Sequence, residues 1–123
     1  MTQEDKELLL KDLCTRLPYK VKGVYARTDI KNLSICEITT HLYGKMEESF
    51  NGKEKYEFIP YLFPLSSMTE EQKEEYQYIT ERWMYDPSYS ISDSIDWLNK
   101  NHFDYRNLID KNLAIDATGL NIY

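Results

Sequence analysis

Five cations gather in one short segment of this chain, Arg16 followed by LPYKVKGVYARTDIK. Asp29 is the single acid among them, so the stretch from Arg16 to Lys31 carries +4. The remaining ten cations and twenty acids carry −10, and the whole chain has a formal net charge of −6. A local excess of positive charge in an acidic chain indicates a place where an anionic partner could dock.

The side chains of this basic segment have the chemistry of a small anion site. Arginine can grip a phosphate with two N–H groups, lysine acts as a point charge, and a tyrosine ring can stack on a base. The candidate ligand-binding residues are therefore Arg16, Tyr19, Lys20, Lys22, Tyr25 and Arg27. A long nucleic acid is excluded, because the −10 remainder would repel it. A small phosphorylated ligand or an acidic patch on another protein fits better.

A second interpretation of the same segment stays open. Alternation along Tyr19–Tyr25 directs Lys20 and Lys22 to one face of a strand. Lysines in this position also protect the exposed edge of a sheet against aggregation. The segment is thus either the basic wall of an anion site or a guarded edge strand.

Other chemistry finds little support in the spacing of the reactive residues. The histidines and cysteines form no CxxC or HxxxH pair, so we expect no metal site and no cofactor. His102 lies two residues before Asp104, but a histidine satisfied within a core is the commoner explanation. The cysteines, Cys14 and Cys36, are expected to be buried and free. We name no catalytic residue and expect a binding protein rather than an enzyme.

Length and composition indicate one soluble domain spanning residues 1–123. No apolar run approaches the roughly 20 residues that cross a bilayer. The first residues, MTQEDKELLLKDL, place acids where a secretory signal needs cations, so we expect a cytoplasmic protein without membrane contact. Eleven tyrosines suit half-buried surfaces and interfaces, because the tyrosine ring is apolar and its hydroxyl is polar, but strand positions and the rim of the core are their commoner place.

The first half of the chain predicts one helix and three strands. Thr2 can cap a helix that Pro18 ends. The segments 19–25 and 33–43 are rich in β-forming residues and predict an antiparallel hairpin. Asn51-Gly52 is a turn signal, and a third strand follows at 55–59.

The second half predicts two more helices. Thr69 and Gln72 form a capping box, and the helix that follows carries Tyr76, Ile79 and Trp83 on one face before Asp86-Pro87 ends it. A helix beginning near Ser90 or Ser92 is predicted to carry four residues on one face: Ile91, Ile95, Leu98 and His102. Residues 113–117 predict a last strand. The fold class is therefore α+β, a small antiparallel sheet of three or four strands with about three helices.

Three segments carry a resemblance to a known family: LPYKVKG, PYLFPLSSMTEEQKEEY and DWLNKNHFDYRNLIDKNLAIDATGLNIY. They resemble a family of small proteins encoded by gut Bacteroidales phages, prophages and mobile elements, which has no assigned activity. The resemblance implies that the protein works in a bacterial cytoplasm in an accessory role. It identifies no catalytic or binding residue in this chain.

Three functions follow as hypotheses. The first is a binding protein that self-associates and sequesters a small nucleotide signal, which in a phage would be a counter-defence. The second is an interaction module that blocks or recruits a host protein through aromatic anchors such as Trp83 and Trp97. The third, an enzyme acting on a nucleotide through His102, has the least support.

Overall fold

The α+β prediction is confirmed by the structure, a computed structural model that describes residues 2–27, 30–49, 56–88 and 90–123. These residues form four α-helices, α1 (Gln3–Arg16), α2 (Thr40–Ser49), α3 (Glu70–Tyr85) and α4 (Ile91–Lys100). They also form five strands, β1 (Lys22–Arg27), β2 (Ile30–Glu37), β3 (Tyr56–Pro64), β4 (Phe103–Asp104) and β5 (Ile115–Asp116).

The sheet has the order β2-β1-β3-β4, with β5 also paired to β3. β1 is antiparallel to both β2 and β3, which confirms the predicted hairpin, whereas the two-residue strands β4 and β5 run parallel to β3. Because both edges of β1 are hydrogen-bonded, the interpretation of this strand as a guarded edge is wrong. Lys22, the one lysine of β1, does not protect a free edge.

The predicted strand over residues 33–43 is wrong beyond Glu37, where β2 ends. α2 begins at Thr40, and the Thr39 hydroxyl accepts the N–H of Leu42 at 3.1 Å, as a helix cap does. The β-branched threonines favoured a strand, but here they start a helix. The predicted turn at Asn51-Gly52 lies outside the described residues. The sequence also predicts a turn over residues 28–32, of which 28 and 29 lie outside the described residues. The turn is wrong for residues 30–32, which belong to β2.

Local capping signals correctly locate the starts of three helices. Thr2 and Asp5 form a capping box at α1, Thr69 and Gln72 form one at α3, and Ser90 begins α4 with a third. α1 ends at Arg16, followed by a 3₁₀ turn at Leu17–Tyr19 that contains Pro18. His102 is not on a helix, because α4 ends at Lys100 and His102 has φ +62°.

β3 separates two apolar clusters, because successive side chains of a strand point to opposite faces. Phe58 and Leu62 enter the larger cluster. Its other buried residues come from α1, α2, the C-terminal segment and the positions next to the ends of β1 and β2: Leu9, Leu13, Val21, Ile38, Met46, Leu108, Leu113 and Ala114. Phe63 packs on the smaller one, which consists of Trp97, Leu98 and Phe103, with Met68, Tyr76, Ile79 and Tyr105 at its margin. The second cluster holds α3 and α4 against the sheet.

Gly23 allows β1 and β3 to approach closely at the centre of the sheet. A Cβ atom at this position would lie 2.5 Å from the carbonyl oxygen of Ile59 and 2.6 Å from the ring of Phe58. Real Cβ atoms do not approach so closely, so any larger residue must displace backbone. Gly44 in α2 differs, since its Cβ would meet nothing within 4 Å.

The two glycines therefore predict opposite effects of the same substitution. Gly23→Ala should lower the free energy of unfolding by about 1–3 kcal/mol through overpacking. Gly44→Ala should raise it by about 0.5–1 kcal/mol, because alanine favours a helix interior. Urea unfolding followed by circular dichroism measures both. Equal effects of the two substitutions would contradict the packing described for Gly23.

Candidate functional site

Arg16, the first candidate of the basic segment, is fully buried. Its Nε donates to Asp12 Oδ2 at 2.7 Å, and its Nη2 donates to the carbonyl oxygen of Phe103 at 2.7 Å. Arg106 Nε donates to the second oxygen of Asp12 at 3.2 Å. The charge of Arg16 is thus engaged inside the protein by Asp12, which the sequence interpretation had not selected although its i, i+4 spacing to Arg16 suits a helix pair.

Lys22 faces the C-terminal segment. Its Nζ donates to the carbonyl oxygen of Ile122 at 3.0 Å and lies 5.9 Å from the centre of the Tyr123 ring. The Tyr123 hydroxyl accepts the backbone N–H of Lys22 and donates to the carbonyl oxygen of Tyr61, both at 2.8 Å. Lys22 therefore fastens residues 122 and 123 to the sheet.

The remaining candidates occupy separate positions. Lys20 is exposed with φ +56°, and it makes no ion pair or hydrogen bond with any described residue. Tyr19 is half-buried at the end of the 3₁₀ turn, and Tyr25 packs against the larger apolar cluster. The backbone of Arg27 pairs with β2 and β3, but its side chain lies outside what the structure describes. Arg16 and Lys22 both act electrostatically on His102, so these two cations lie near the same ring. Each already has a partner inside the protein, whereas Lys20 is exposed.

His102 is a half-buried side chain that is neutral at pH 7. Its ring stacks on the Tyr123 ring with centroids 3.8 Å apart, and its Nδ1 is buried with no hydrogen-bond partner in the described structure. Burial, helped by the charges of Arg16 and Lys22, lowers the pKa of His102 to about 4. A general base works best with a pKa near the operating pH, so this environment does not suit catalysis.

Asp104 does not orient His102 as a catalytic carboxylate would. One of its oxygens accepts the backbone N–H groups of Arg106 and Leu108 at 3.1 and 3.0 Å, and the other accepts that of Ile109 at 2.9 Å. Asp104 thus caps the turn that follows β4. The geometry gives His102 and Asp104 separate structural roles.

The cysteines and the acids form no reactive cluster in the described ranges. Cys14 is exposed, which corrects its predicted burial, and Cys36 is half-buried; both are free thiols. Burial raises the pKa of the Cys36 thiol. No three His, Cys, Asp or Glu side chains in the described part of the chain come together as metal ligands do. Among the described helices, none has the length and apolar character needed to span a bilayer.

Four of the ten large exposed apolar side chains of the described chain lie at one end of the α3–α4 hairpin. Trp83, Met84 and Tyr85 in the last turn of α3 are 42%, 63% and 83% exposed, and Ile91 at the start of α4 is 62% exposed. We call these four residues the apolar tip. Five residues connect the two helices, so the four lie at the same end of the hairpin.

The other end of the hairpin is packed against the sheet. The ring centroids of Tyr76 and Trp97 lie 5.4 Å apart. The Trp97 ring stacks on that of Phe103, with centroids 5.7 Å apart. Trp97 is therefore a core residue, 7% exposed, and only Trp83 of the two predicted anchors is available to a partner. Three consecutive large apolar residues in one helix cannot all face a core, and this signal in Trp83-Met84-Tyr85 could have revealed the tip from sequence.

The α3–α4 hairpin also carries most of the protein's net negative charge. Residues 70–100 contain eight acids and three bases, a net of −5 in a chain of −6. Among the acids, Glu81, Asp86 and Asp93 lie within a few residues of the apolar tip. The tip is thus an apolar surface in a negative field.

Comparison with protein-family models, curated proteins and solved structures finds no match to this chain. The functional argument therefore depends on the geometry of the chain itself.

The buried ion pair predicts a large effect of removing one partner. Arg16→Met should lower the free energy of unfolding by about 3–5 kcal/mol, because it leaves the Asp12 carboxylate buried with only Arg106 nearby. The double variant Asp12→Leu, Arg16→Met should recover part of this loss. Lys73→Met, which breaks the exposed pair with Glu70, is the matched control and should change stability by less than about 1 kcal/mol. Similar losses for Arg16→Met and Lys73→Met would refute the role of the pair.

The lowered pKa of His102 predicts that acid destabilises the fold. The unfolded chain binds this proton near pH 6.5 and the folded chain only near pH 4, so the unfolded state holds more protons between these values. The contribution is complete above pH 6.5 and is lost as the pH falls through 4, and solvent screening at this half-buried ring reduces it to about 1–2 kcal/mol. Chemical unfolding from pH 7.5 to 4 measures it.

The variant His102→Asn should flatten this part of the pH profile, since asparagine tolerates the positive φ but does not titrate. His41→Asn changes the exposed histidine and should leave the profile as it is. An unchanged slope in His102→Asn would mean that another group causes the acid sensitivity.

Proposed function

We propose that this protein is a non-enzymatic interaction module that binds a basic protein surface through its apolar tip. The exposure of Trp83, Met84 and Tyr85 in consecutive positions carries the proposal. Monomeric proteins rarely leave large apolar side chains grouped in this way unless they bind something.

The tip has the composition of a binding hot spot. Tryptophan and tyrosine contribute most to protein interfaces, because each buries a large ring with few rotatable bonds. Trp83 and Tyr85 are already held by a formed helix, α3, whose other half is packed against Trp97 through Tyr76 and Ile79. Because the backbone is already ordered, little conformational entropy is lost on binding, which favours affinity.

The charge of the hairpin selects the kind of partner. The three acids near the tip outnumber its one base, Arg82, in an α3–α4 hairpin of net charge −5, and this excess attracts a surface rich in lysine and arginine and speeds its encounter. The same field opposes a second copy of this chain at the tip and opposes nucleic acid. The partner we infer is therefore a protein with an apolar pocket and a basic rim.

The geometry favours this function over the sequestration of an anion. Arg16 is engaged by Asp12 and Lys22 by Ile122, so two of the cations proposed for an anion site already have partners. The sequence resemblance to proteins of phages and mobile elements adds a setting to the proposal, in which the partner is a protein of the bacterial host.

A photo-crosslinking amino acid at position 85 in the full-length chain tests the proposal inside bacterial cells. We expect a crosslinked protein whose peptide, identified by mass spectrometry, comes from a lysine- and arginine-rich surface. For the purified pair, Trp83→Ala and Tyr85→Ala should each raise the Kd by about tenfold or more. Binding should also weaken as salt is raised, because the attraction is partly electrostatic.

Ile35→Ala is the matched control, since Ile35 is a large exposed apolar residue on β2. It should leave the Kd unchanged. Equal weakening by the control, retention of the partner by both tip variants, or crosslinking only to a second copy of this chain would each overturn the proposal. Melting temperatures close to wild type establish that the tip variants are folded.

A further inference from the structure

Met84 lies in the middle of the apolar tip, between Trp83 and Tyr85 in the last turn of α3. Its side chain is 63% exposed. The other described methionines are less accessible: Met46 is 1% exposed in the larger apolar cluster, and Met68 is half-buried at the margin of the smaller one. Of the described methionines, Met84 is therefore the one most open to a small molecule in water.

The thioether of an exposed methionine reacts with a peroxide. A sulfur lone pair attacks one oxygen of hydrogen peroxide, the O–O bond breaks, and an S–O bond forms. The second oxygen takes the remaining proton and leaves as water. Sulfur is thereby oxidised by two electrons and the peroxide is reduced by two. The product, methionine sulfoxide, is polar, whereas the thioether is apolar.

The oxidation of Met84 is reversible by a known class of enzyme. Methionine sulfoxide reductases return the sulfur to a thioether, and the sulfoxide oxygen leaves as water. The two electrons come from a dithiol, which becomes a disulfide. A methionine at the tip can thus be changed in both directions without new protein synthesis.

The two cysteines compete for peroxide outside the tip. Cys36 is half-buried, and burial raises the pKa of its thiol, which lowers the fraction of reactive thiolate. Cys14 is exposed but lies on α1. Sulfenic acids and disulfides of cysteine are reversed by a small thiol, whereas methionine sulfoxide requires its reductase. The two kinds of oxidation can therefore be separated in one experiment.

Oxidation changes the surface that the tip offers to a partner. The sulfoxide oxygen is a hydrogen-bond acceptor placed between the rings of the two aromatic anchors, Trp83 and Tyr85. In the free protein water satisfies this oxygen. In an interface with an apolar pocket the oxygen loses that water without gaining a donor, and burying an unpaired polar group is unfavourable. The oxidised tip therefore binds more weakly than the reduced one.

We propose that Met84 is a redox-modified site at which peroxide switches the apolar tip off and methionine sulfoxide reductase switches it on. The effect on a partner rests on the proposed interaction function. The selection of Met84 for oxidation rests on its exposure and is independent of that function.

The first experiment identifies the oxidised residue in the full-length chain. Each described methionine falls on its own tryptic peptide, with Met46 in residues 46–53, Met68 in 56–73 and Met84 in 83–100. After treatment with hydrogen peroxide, mass spectrometry should show that Met84 gains one oxygen at least about tenfold faster than Met46, because susceptibility follows exposure. Fragment ions distinguish oxygen on Met84 from oxygen on Trp83.

The second experiment measures the tip before and after oxidation, once dithiothreitol has reduced the cysteines. The probes are the uncharged dye Nile red, which fluoresces on apolar surfaces, and the photo-crosslinking amino acid at position 85. Oxidation should lower the dye signal about twofold and the yield of crosslinked host protein about fivefold or more, because the sulfoxide is costly to bury. The two reductases, one for each sulfoxide epimer, should restore both signals.

Three variants assign the effect to the sulfur of Met84. Met84→Leu keeps a similar volume without an oxidisable atom, so its signals should be the same before and after peroxide, whatever their starting level. Met84→Gln places an uncharged polar group at the tip and should start near the level of the oxidised protein. Met68→Leu is the matched control outside the tip and should respond to peroxide as the wild type does.

Four results would overturn the inference. They are similar oxidation rates at Met84 and Met46, unchanged signals after complete oxidation of Met84, a wild-type response in Met84→Leu, and no recovery with the reductases. If the untreated chain captures no host protein, the proposed function fails. The oxidation rates and the dye signal then still decide whether Met84 switches the apolar character of the tip.

Discussion

The buried pair of Asp12 and Arg16 is the interaction on which the two halves of this protein depend. Both side chains are fully buried on α1, and Arg16 also binds the carbonyl oxygen of Phe103 while Asp12 binds Arg106. One pair therefore ties the first helix to the segment that follows α4. Since an unpaired buried charge is very costly, neither half can shift without losing a partner.

The contact of Arg16 with Phe103 also determines which surfaces of the α3–α4 hairpin are exposed. β4 begins at Phe103, whose ring stacks on Trp97, and Trp97 also contacts the ring of Tyr76 in α3. The α3–α4 hairpin is thereby held at its packed end, and its other end extends beyond the core with Trp83 and Tyr85 exposed. A rigid base and an exposed apolar tip are the arrangement that an interaction module needs.

Local signals in the sequence predicted part of the fold correctly. The capping boxes at Thr2 and Thr69 marked helix starts, because a cap is made by residues three apart in the chain. The β1–β2 hairpin followed from its β-forming residues. α2 was missed, since Thr39 and Thr40 suit a strand and a helix start equally. The two-residue strands β4 and β5 carry no such local signal, because their pairing with β3 is made by distant residues.

The sequence by itself determined the single α+β fold class, most helix starts and the concentration of acids in residues 70–100. Only the tertiary structure decided that Arg16 is buried with Asp12 and that β1 is central in the sheet. It also decided that Trp97 is core while Trp83 is exposed. The physical reason is the sequence separation of the residues that interact. Capping and local charge depend on neighbours a few residues away in the chain. Burial depends on contacts such as that of Arg16 with Phe103, 87 residues apart.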